Sequence, residues 1–394
     1  MPGPLDGFRV IDLTTMVSGP FATMMLGDQG ADVIKVEAPG GGDHVRTGGN
    51  RAGGLATQFI NTNRNKRSIA VDLKHPRGRE VVGRLAAGAD VFIQNFRPGV
   101  VDRLGVGEPE IRAASPQIVY VSISGFGEAG PYATKRVYDP IIQAASGLAS
   151  VQGGSDDARP RLIRTILPDK LTAVTAAQAV TAALLARART GEGQHVRLSM
   201  LDAVVAFLWA SDMGGLTFVD QPADGQRAAS FIDLIYETQD GFMSVAVMSD
   251  REWRGLARAA ERPEWLEDER FKTPALRDEN IDERLALTQE AIRTRTTAEW
   301  MERLEAEDVP CAPVLTRSQL VEHPQVAAGG TLVEYDHPAA GRLRQAGPAA
   351  CFEATPATVR RGAPLLGEHT DELLGEAGFS AEGIATLRGD GVVA

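Results

Sequence analysis

The sequence predicts an α/β fold whose main domain is a doubly wound, Rossmann-like parallel sheet. Short β-rich runs alternate with segments of helical length along the first half of the chain, and this alternation is typical of repeated βαβ units. The chain is 394 residues long, which exceeds the usual size of a single core. A second and smaller domain is therefore expected.

The first elements along the chain form a βαβ opening. Residues 8–13 and 31–37 are apolar and β-rich, and residues 20–27 between them have helical character. The later predicted strands are 90–96, 118–124 and 195–199, and the later predicted helices are 78–87, 170–190 and 201–209. Strands that are joined through helices in this way lie parallel in one sheet, with right-handed crossovers.

Composition divides the chain into five segments. Residues 214–229 are rich in Gly, Asp, Gln and Ala, which indicates a linker. The segments are the first part of the large domain at 1–213, this linker at 214–229, a small α+β domain at 230–310 that opens with a hairpin, a proline-marked return linker at 311–330 and a C-terminal segment at 331–394. The last segment has predicted strands near 331–335 and 341–344 and a helix at 370–377, but too little apolar length for a core of its own. We expect it to complete the large domain.

Charge and the N-terminal pattern limit the partners of the protein. A net charge of −11 argues against general nucleic-acid binding, because a phosphate backbone requires a basic surface. The N-terminus lacks the pattern of a signal peptide, and there is no run of eighteen apolar residues, so we expect a cytoplasmic protein without a membrane span. Cys311 and Cys351 have no Cys or His partner at zinc spacing, so no metal site is expected.

Basic residues are concentrated in one stretch of the chain. Residues 61–105 contain nine Lys or Arg against four Asp or Glu. Lys and Arg that stand among Gly and Pro at loop positions suit a small polyphosphate such as coenzyme A. A solvated basic face has the same composition, and the residues alone leave both interpretations open.

The glycine pattern Gly125-Phe126-Gly127-Glu128-Ala129-Gly130 follows a predicted strand and matches a dinucleotide-binding fingerprint. That fingerprint acts by aiming a helix N-terminus at pyrophosphate, whereas here Pro131 follows and no amphipathic helix begins. NAD is therefore not expected. The sequence also lacks the nucleophile-elbow, P-loop and zinc-protease motifs, so hydrolase, nucleotidase and metalloprotease activities lose their usual support.

Six short motifs carry a resemblance to a known family. They are Pro4-Leu5-Asp6-Gly7-Phe8-Arg9-Val10-Ile11-Asp12-Leu13-Thr14, Asn65-Lys66-Arg67-Ser68-Ile69, Asn95-Phe96-Arg97-Pro98-Gly99, Tyr138-Asp139-Pro140, Thr190-Gly191-Glu192-Gly193-Gln194 and Ala363-Pro364-Leu365-Leu366-Gly367-Glu368-His369-Thr370-Asp371-Glu372-Leu373. Through them the whole chain resembles the class III CoA-transferases, the group that contains formyl-CoA:oxalate and carnitine CoA-transferases and alpha-methylacyl-CoA racemase.

This resemblance implies an acyl-CoA:carboxylate CoA-transferase that uses coenzyme A and a free carboxylic acid as substrates, without a metal or NAD. It also implies a homodimer of two interlocked, ring-like chains. In that family the active site forms where the domains of both chains meet.

Asp169 is the predicted nucleophile. It lies in Leu167-Pro168-Asp169-Lys170, just before the long predicted helix, where Asp is a favoured N-cap and the helix terminus stabilises an ionised carboxylate. An ionised carboxylate on a loop can attack a thioester carbonyl. The resemblance implies that Asp169 does so, through a mixed anhydride and then an aspartyl-CoA thioester. A capping role alone is the other interpretation.

Tyr138 and Asp139 bear on which reaction is catalysed. The racemases of the family carry a histidine where Tyr138 stands, because removing and returning an α-proton needs two bases. Tyrosine, with an ordinary pKa of about 10, is a poor base at neutral pH, so this difference favours transfer. Asp139 could supply the missing base, so a racemase or isomerase remains an alternative. A non-catalytic CoA-binding protein is a second alternative.

The predicted CoA-binding residues lie mainly where predicted strands end. Asn95, Phe96 and Arg97 follow a strand at the carboxyl end, where open α/β sheets bind ligands, and Arg103 follows shortly after. The resemblance adds four further CoA contacts, which are Val17, Val71, Lys74 and Arg136. A turn with an incidental arginine is the other interpretation of the motif at Asn95.

Overall fold

The computed structural model describes residues 2–220 and 234–394. The chain divides into two compact units, Met1–Phe231 with Gly330–Ala394, and Ile232–Gly329. The strands are β1 (Arg9–Asp12), β2 (Asp32–Glu37), β3 (Arg51–Ala52), β4 (Leu55–Ala56), β5 (Lys66–Ala70), β6 (Val91–Gln94), β7 (Val119–Ser124), β8 (His195–Ser199), β9 (Ile235–Glu237), β10 (Phe242–Val245), β11 (Cys311–Pro313), β12 (Leu332–His337) and β13 (Gly341–Ala346).

The α-helices are α1 (Ser18–Asp28), α2 (Thr57–Asn63), α3 (Pro76–Ala87), α4 (Val100–Arg103), α5 (Glu108–Ala114), α6 (Asp139–Ala145), α7 (Leu148–Gly153), α8 (Leu167–Thr190), α9 (Met200–Trp209), α10 (Asp250–Ala259), α11 (Pro274–Glu279), α12 (Ile281–Ile292), α13 (Thr297–Ala306), α14 (Arg317–Glu322), α15 (Pro324–Ala328), α16 (Thr370–Glu376) and α17 (Ala381–Gly389). Most of the predicted linker at 214–229 and the start of the predicted hairpin lie outside the described residues.

Six parallel strands form the main sheet of the first unit, in the order β5-β2-β1-β6-β7-β8. Val10 in β1 pairs with Val33 in β2 on one side and with Val91 in β6 on the other. The strand order reverses beside β1, and open α/β sheets bind ligands at the carboxyl ends of the strands beside such a switch point. The predicted α/β class and parallel sheet are confirmed.

Helices cover both faces of the main sheet. Val10 and Ile11 are consecutive in β1 and point to opposite faces. On the Ile11 face the core includes residues of α3, α5, α16 and α17, and on the Val10 face it includes residues of α1 and α8. Burial on both faces explains why the central strands are largely apolar.

Helix α8 is the long Ala-rich helix that the sequence predicts. Within the described part of the chain it alone is long and apolar enough to cross a membrane, a property that core helices of soluble proteins share. Ala173, Ala176 and Val180 lie in the core of the Val10 face. Packing against the sheet accounts for the apolar character of that side of α8.

The C-terminal residues belong to the first unit and pack against its main sheet. Leu373 of α16 is buried in the core of the Ile11 face. The backbone N–H of His369 donates to the carbonyl oxygen of Ser68 in β5 at 2.9 Å, and Val393 forms a bridge with Val71. Strands β12 and β13 pair with each other as an antiparallel ribbon. The chain thus returns to the main sheet beside β5.

The second unit contains the antiparallel sheet β11-β10-β9 and a core that includes Trp253, Phe271 and Trp300. The irregular return linker predicted at 311–330 is wrong in part, because β11, α14 and α15 lie there and β11 pairs with β10. Pro313 suggested irregular structure, but β11 is an edge strand, and edge strands tolerate proline.

Candidate active site

The loops at the carboxyl ends of the main strands hold most of the predicted site residues. The loop after β1 leads to Val17, and the loop after β6 begins with Asn95. The side-chain oxygen of Asn95 accepts the backbone N–H of Thr15 at 2.9 Å, and its amide nitrogen donates to the Thr15 carbonyl at 2.8 Å. Asn95 therefore ties together the two loops of the switch point.

A buried ion-pair network supports the loop after β1. The carboxylate of Asp12 accepts from Lys66 Nζ at 2.9 Å and from the hydroxyl groups of Thr14 and Thr23. Burial favours the neutral form of Asp12, but the charges of Lys66 and Lys35 and these hydrogen bonds outweigh it and lower its pKa to about 2. Asp12 is therefore held as a buried carboxylate beneath the loop.

A second buried pair fixes the end of the same loop. Met16 adopts a left-handed backbone conformation with φ of 71°, which is uncommon for a residue with a side chain. Its N–H donates to Asp43 at 3.0 Å, and Lys35 Nζ donates to the other Asp43 oxygen at 3.0 Å and to the Thr14 carbonyl at 2.8 Å. The loop is thus anchored at three successive residues just before Val17 and Ser18.

Asp169 lies in the first turn of α8 and its carboxyl group meets the start of α1. The N-cap of α8 is Ile166 and not Asp169, so the predicted capping role is wrong. The hydroxyl group and the backbone N–H of Ser18 face the Asp169 carboxyl closely enough to lower its pKa. The terminus that faces this carboxyl group is therefore that of α1.

The pKa of Asp169 is raised. Burial disfavours the charged form and is the largest cause, the negative charge of Asp139 adds to it, and the hydrogen bonds from Ser18 act in the opposite direction. The result is a pKa of about 6, whereas a stabilising helix terminus alone would lower it. Perturbed carboxyl groups of this kind concentrate at functional sites.

Asp139 positions Asp169 from the first residue of α6. Asp139 is 3% exposed. One of its oxygens accepts from Gln143 Nε2 at 2.7 Å, and the other accepts the backbone N–H of Asp169 at 3.1 Å. Because both oxygens are engaged by protein donors, Asp139 acts as a positioning residue.

Tyr138 and Arg136 lie on the segment that precedes α6. Tyr138 is 71% exposed, so its side chain is not part of the core. Arg136 is also exposed and has no carboxylate partner in the described part of the chain.

Eight of the nine basic residues at 61–105 fall into two groups in the structure, and Arg79 donates to backbone carbonyls. Arg64, Lys66 and Arg67 are buried in ion pairs with Asp28, Asp12 and Asp32, and Arg77 and Arg84 pair with Asp390 and Glu80. The second group, Lys74, Arg97 and Arg103, is exposed, and its side chains form no ion pair with any described carboxylate. These three cations remain available to an external anion.

Two of the predicted CoA contacts have buried side chains. Val71 is 1% and Val17 is 5% exposed, so little of either residue is accessible to a ligand in the single chain. Phe96 and Arg97 instead line a cavity of about 300 Å³ together with Ser122 and His195.

Two residues of the site were not found from the sequence. They are Ser18, which contacts the Asp169 carboxyl, and Gln143, which holds Asp139. Gln143 stands four residues after Asp139 on α6, and side chains at that spacing are neighbours on a helix. This spacing is the signal that could have identified Gln143.

The glycine pattern at 125–130 does not open a helix, since the next helix, α6, begins at Asp139. Among the residues that the structure describes, no group of three His, Cys, Asp or Glu could hold a metal ion.

Comparison with known proteins assigns the family. Residues 5–370 match CoA-transferase family III. The human succinyl-CoA:glutarate CoA-transferase is 33% identical over 99% of this chain and 90% of its own, and the formyl-CoA:oxalate CoA-transferase of Rhodopseudomonas palustris is 33% identical over 100% and 98%. The crystal structure of a CAIB/BAIF family protein from Brucella suis superposes with a TM-score of 0.83 at 32% identity, covering 96% of this chain and 100% of that one. The chain therefore belongs to CoA-transferase family III.

Proposed function

We propose that this protein moves CoA from an acyl-CoA to a free carboxylic acid, with Asp169 as the covalent nucleophile. The observation that carries the proposal is the Asp169 carboxyl group, which has a pKa of about 6 and faces Ser18 beside the switch point of the sheet. At pH 7 such a group is about nine-tenths ionised. It is therefore a stronger nucleophile than an ordinary carboxylate and still charged.

The first half of the reaction would load CoA onto the enzyme. A carboxylate oxygen of Asp169 attacks the thioester carbonyl, the C–S bond breaks, and the CoA thiolate leaves a mixed anhydride behind. The thiolate then attacks the Asp169 carbonyl of that anhydride. The donor acid departs as a carboxylate, and Asp169 remains as a CoA thioester.

The second half would reverse these steps with another acid. The acceptor carboxylate attacks the aspartyl-CoA thioester, which gives a new anhydride and frees the thiolate. The thiolate attacks the acceptor's carbonyl, so that a new acyl-CoA forms and the Asp169 carboxylate is regenerated. Ser18 would hold the Asp169 oxygen, and Asp139 would hold its backbone, through both halves.

The relatives suggest which acids to test. The human relative is named for succinyl-CoA and glutarate, and the bacterial relative for formyl-CoA and oxalate. We therefore propose short acyl-CoA donors with dicarboxylate acceptors. A panel of acyl-CoA esters against carboxylic acids, read by mass spectrometry, should show the CoA ester of an added acid. Absence of transfer in every combination, with CoA still bound, would favour the non-catalytic alternative.

The racemase alternative finds little support at the site. Asp139, the candidate replacement base, is buried and both of its oxygens accept hydrogen bonds from the protein. Deuterium exchange separates the reactions. A racemase would incorporate deuterium at the α-carbon of a chiral acyl-CoA in D2O without passing CoA to an added acid.

The pH dependence of transfer should follow the ionisation of Asp169. Because only the carboxylate can attack, kcat/KM for the acyl-CoA should fall as the pH drops through about 6 and level off above it. Asp139→Asn removes a negative charge that raises the Asp169 pKa, so its acidic limb should move to lower pH. Profiles measured between about pH 5 and pH 8 check this. A wild-type profile that stays flat across that interval would contradict the assignment.

The exposed cations Lys74, Arg97 and Arg103 are proposed to bind the phosphates of CoA. A charge-assisted hydrogen bond contributes about 1.5–3 kcal/mol, so Arg97→Ala or Arg103→Ala should weaken CoA binding roughly ten-fold or more by calorimetry. Arg189→Ala, at an exposed position in the last turn of α8, is the matched control. Of Arg97→Ala and Arg103→Ala, one should lose less affinity for dephospho-CoA than for CoA. Unchanged affinity in both variants would restore the interpretation as a solvated basic face.

The homodimer that the resemblance implies is also a proposal. Several large apolar side chains of the first unit are exposed on α8, α9 and the residues that follow, namely Val174, Leu185, Phe207, Trp209, Phe218 and Val219. Large exposed apolar side chains are common at interaction surfaces. A second copy of the chain is the partner proposed to cover them.

An interlocked dimer cannot separate without unfolding. Its mass by light scattering should therefore stay dimeric on dilution to nanomolar concentration, and its thermal midpoint should rise with protein concentration. An active monomer in sedimentation at micromolar concentration would contradict the interlock and the shared active site.

A further inference from the structure

A second group of exposed cations lies on the segment that leads into α8. Arg159, Arg161 and Arg164 all line one cavity of about 660 Å³. Their side chains are exposed, and none pairs with a carboxylate within residues 2–220 or 234–394. Like charges that share one cavity repel each other, and a bound anion would relieve this.

Hydrogen bonds join this segment to the proposed nucleophile. The N–H of Arg161 donates to a carbonyl in α7 at 2.9 Å, and the N–H of Ile163 donates to Gln143 Oε1 at 2.9 Å. Gln143 donates to Asp139, which in turn accepts the N–H of Asp169. The arginine segment and the nucleophile are therefore parts of one hydrogen-bonded assembly.

The chain itself limits the distance between them. Arg164 precedes Asp169 by five residues, so their Cα atoms are at most about 18 Å apart. A guanidinium group binds a carboxylate with two parallel hydrogen bonds. Arg164 is thus suited in chemistry and in reach to hold the far end of a small acid whose reacting end lies at Asp169, and Arg159 and Arg161 share its cavity.

The three arginines and the exposed cations Lys74, Arg97 and Arg103 belong to different parts of the first unit. Leu73 and Phe96, which neighbour Lys74 and Arg97, pack on the core of the Ile11 face. Ile163, between the arginines, packs in a separate cluster with residues of α6, α7 and α9. In a thioester, the CoA phosphates and the far end of the acyl group extend from the carbonyl in opposite directions.

We infer that Arg159, Arg161 and Arg164 form the subsite for the distal carboxylate of a dicarboxylic substrate acid. This inference rests on the proposed CoA-transferase function and adds a basis for acid selectivity. The subsite would distinguish a dicarboxylate from the monocarboxylate of equal chain length, because only the former carries a second charge.

The test compares glutarate with pentanoate as acceptors, with butyryl-CoA, whose acyl group carries no second carboxylate, as the donor. The variants are Arg159→Gln, Arg161→Gln and Arg164→Gln, singly and together, with Arg189→Gln as the matched control. For glutarate we expect kcat/KM to fall roughly ten-fold to 100-fold in at least one single variant and further in the triple variant. The kcat/KM for pentanoate and the affinity for CoA should each change less than about two-fold. The thermal midpoint should change by no more than a few degrees, on the order of the effect of an ordinary surface substitution.

The possible outcomes separate this inference from the proposed function. Equal losses for glutarate and pentanoate, or a loss of CoA affinity, would overturn the subsite. Wild-type transfer that does not discriminate between the two acids would also overturn it while leaving the transferase function intact. Absence of transfer to any acid would instead overturn the proposed function.

Discussion

Asp169→Ala and Asp169→Asn are expected to abolish CoA transfer while leaving the fold and CoA binding largely intact. A covalent nucleophile provides the reaction path itself, so its loss should cost several orders of magnitude in kcat and not a few-fold change. The assay is transfer from the best donor of the acyl-CoA panel. Asp157→Asn, on an exposed loop near α8, is the matched control and should keep normal activity.

Chemical trapping tests the same assignment directly. Hydroxylamine added to the wild type during incubation with an acyl-CoA should convert Asp169 to a hydroxamate, because the thioester and the anhydride are both activated carbonyl groups. Peptide mapping then locates the label. A label on another carboxylate, or near-normal turnover in Asp169→Ala, would rule out Asp169 as the nucleophile.

The Asp169→Asn substitution should make the protein more stable at neutral pH. The pKa of Asp169 is about 6 in the folded chain against an ordinary value of 3.8, so its ionised form opposes folding by about 1–3 kcal/mol at pH 7. Asp169→Asn removes this charge and should raise the thermal midpoint at pH 7. The difference should shrink as the pH falls below about 6, where the folded wild type takes up the proton.

The sequence predicts those features of the fold that are written in local patterns. Alternating apolar runs placed five of the six main strands and the long helix α8, and strand ends placed Asn95 and Arg97 at the carboxyl edge of the main sheet. Strand β5 was missed because it begins with Lys66, Arg67 and Ser68, yet all of its residues are buried. Their charges are neutralised by partners that are distant in the sequence.

The environment of Asp169 was not predictable for the same reason. Its pKa depends on burial and on Asp139, which lies thirty residues earlier, and local motifs carry no information on such contacts. Local sequence showed only a carboxylate at the start of a helix. That pattern suggested a lowered pKa, whereas the folded environment raises it.

Lys66→Met is expected to have the second-largest effect, which is a loss in the free energy of unfolding. The same substitution should also disturb the candidate active site. Lys66 Nζ is fully buried and donates to Asp12, to the Pro20 carbonyl and to Asn63 at 2.8–2.9 Å. Methionine fills similar space but leaves the buried Asp12 carboxylate with one less cation. Removing one partner of a buried pair costs about 3–5 kcal/mol, so the free energy of unfolding in urea should fall by that amount.

A matched substitution and a double variant distinguish this mechanism from a general loss of lysine. Lys74→Met, at an exposed position after the same strand, should change the free energy of unfolding by less than about 0.5 kcal/mol. Asp12→Asn combined with Lys66→Met removes both charges and should recover part of the loss. Equal destabilisation in Lys66→Met and Lys74→Met, or no recovery in the double variant, would contradict the buried-pair interpretation.

Because Asp12 holds Thr14 and thereby the loop that carries Ser18 to Asp169, any folded Lys66→Met protein should also lose transfer activity more than it loses affinity for CoA.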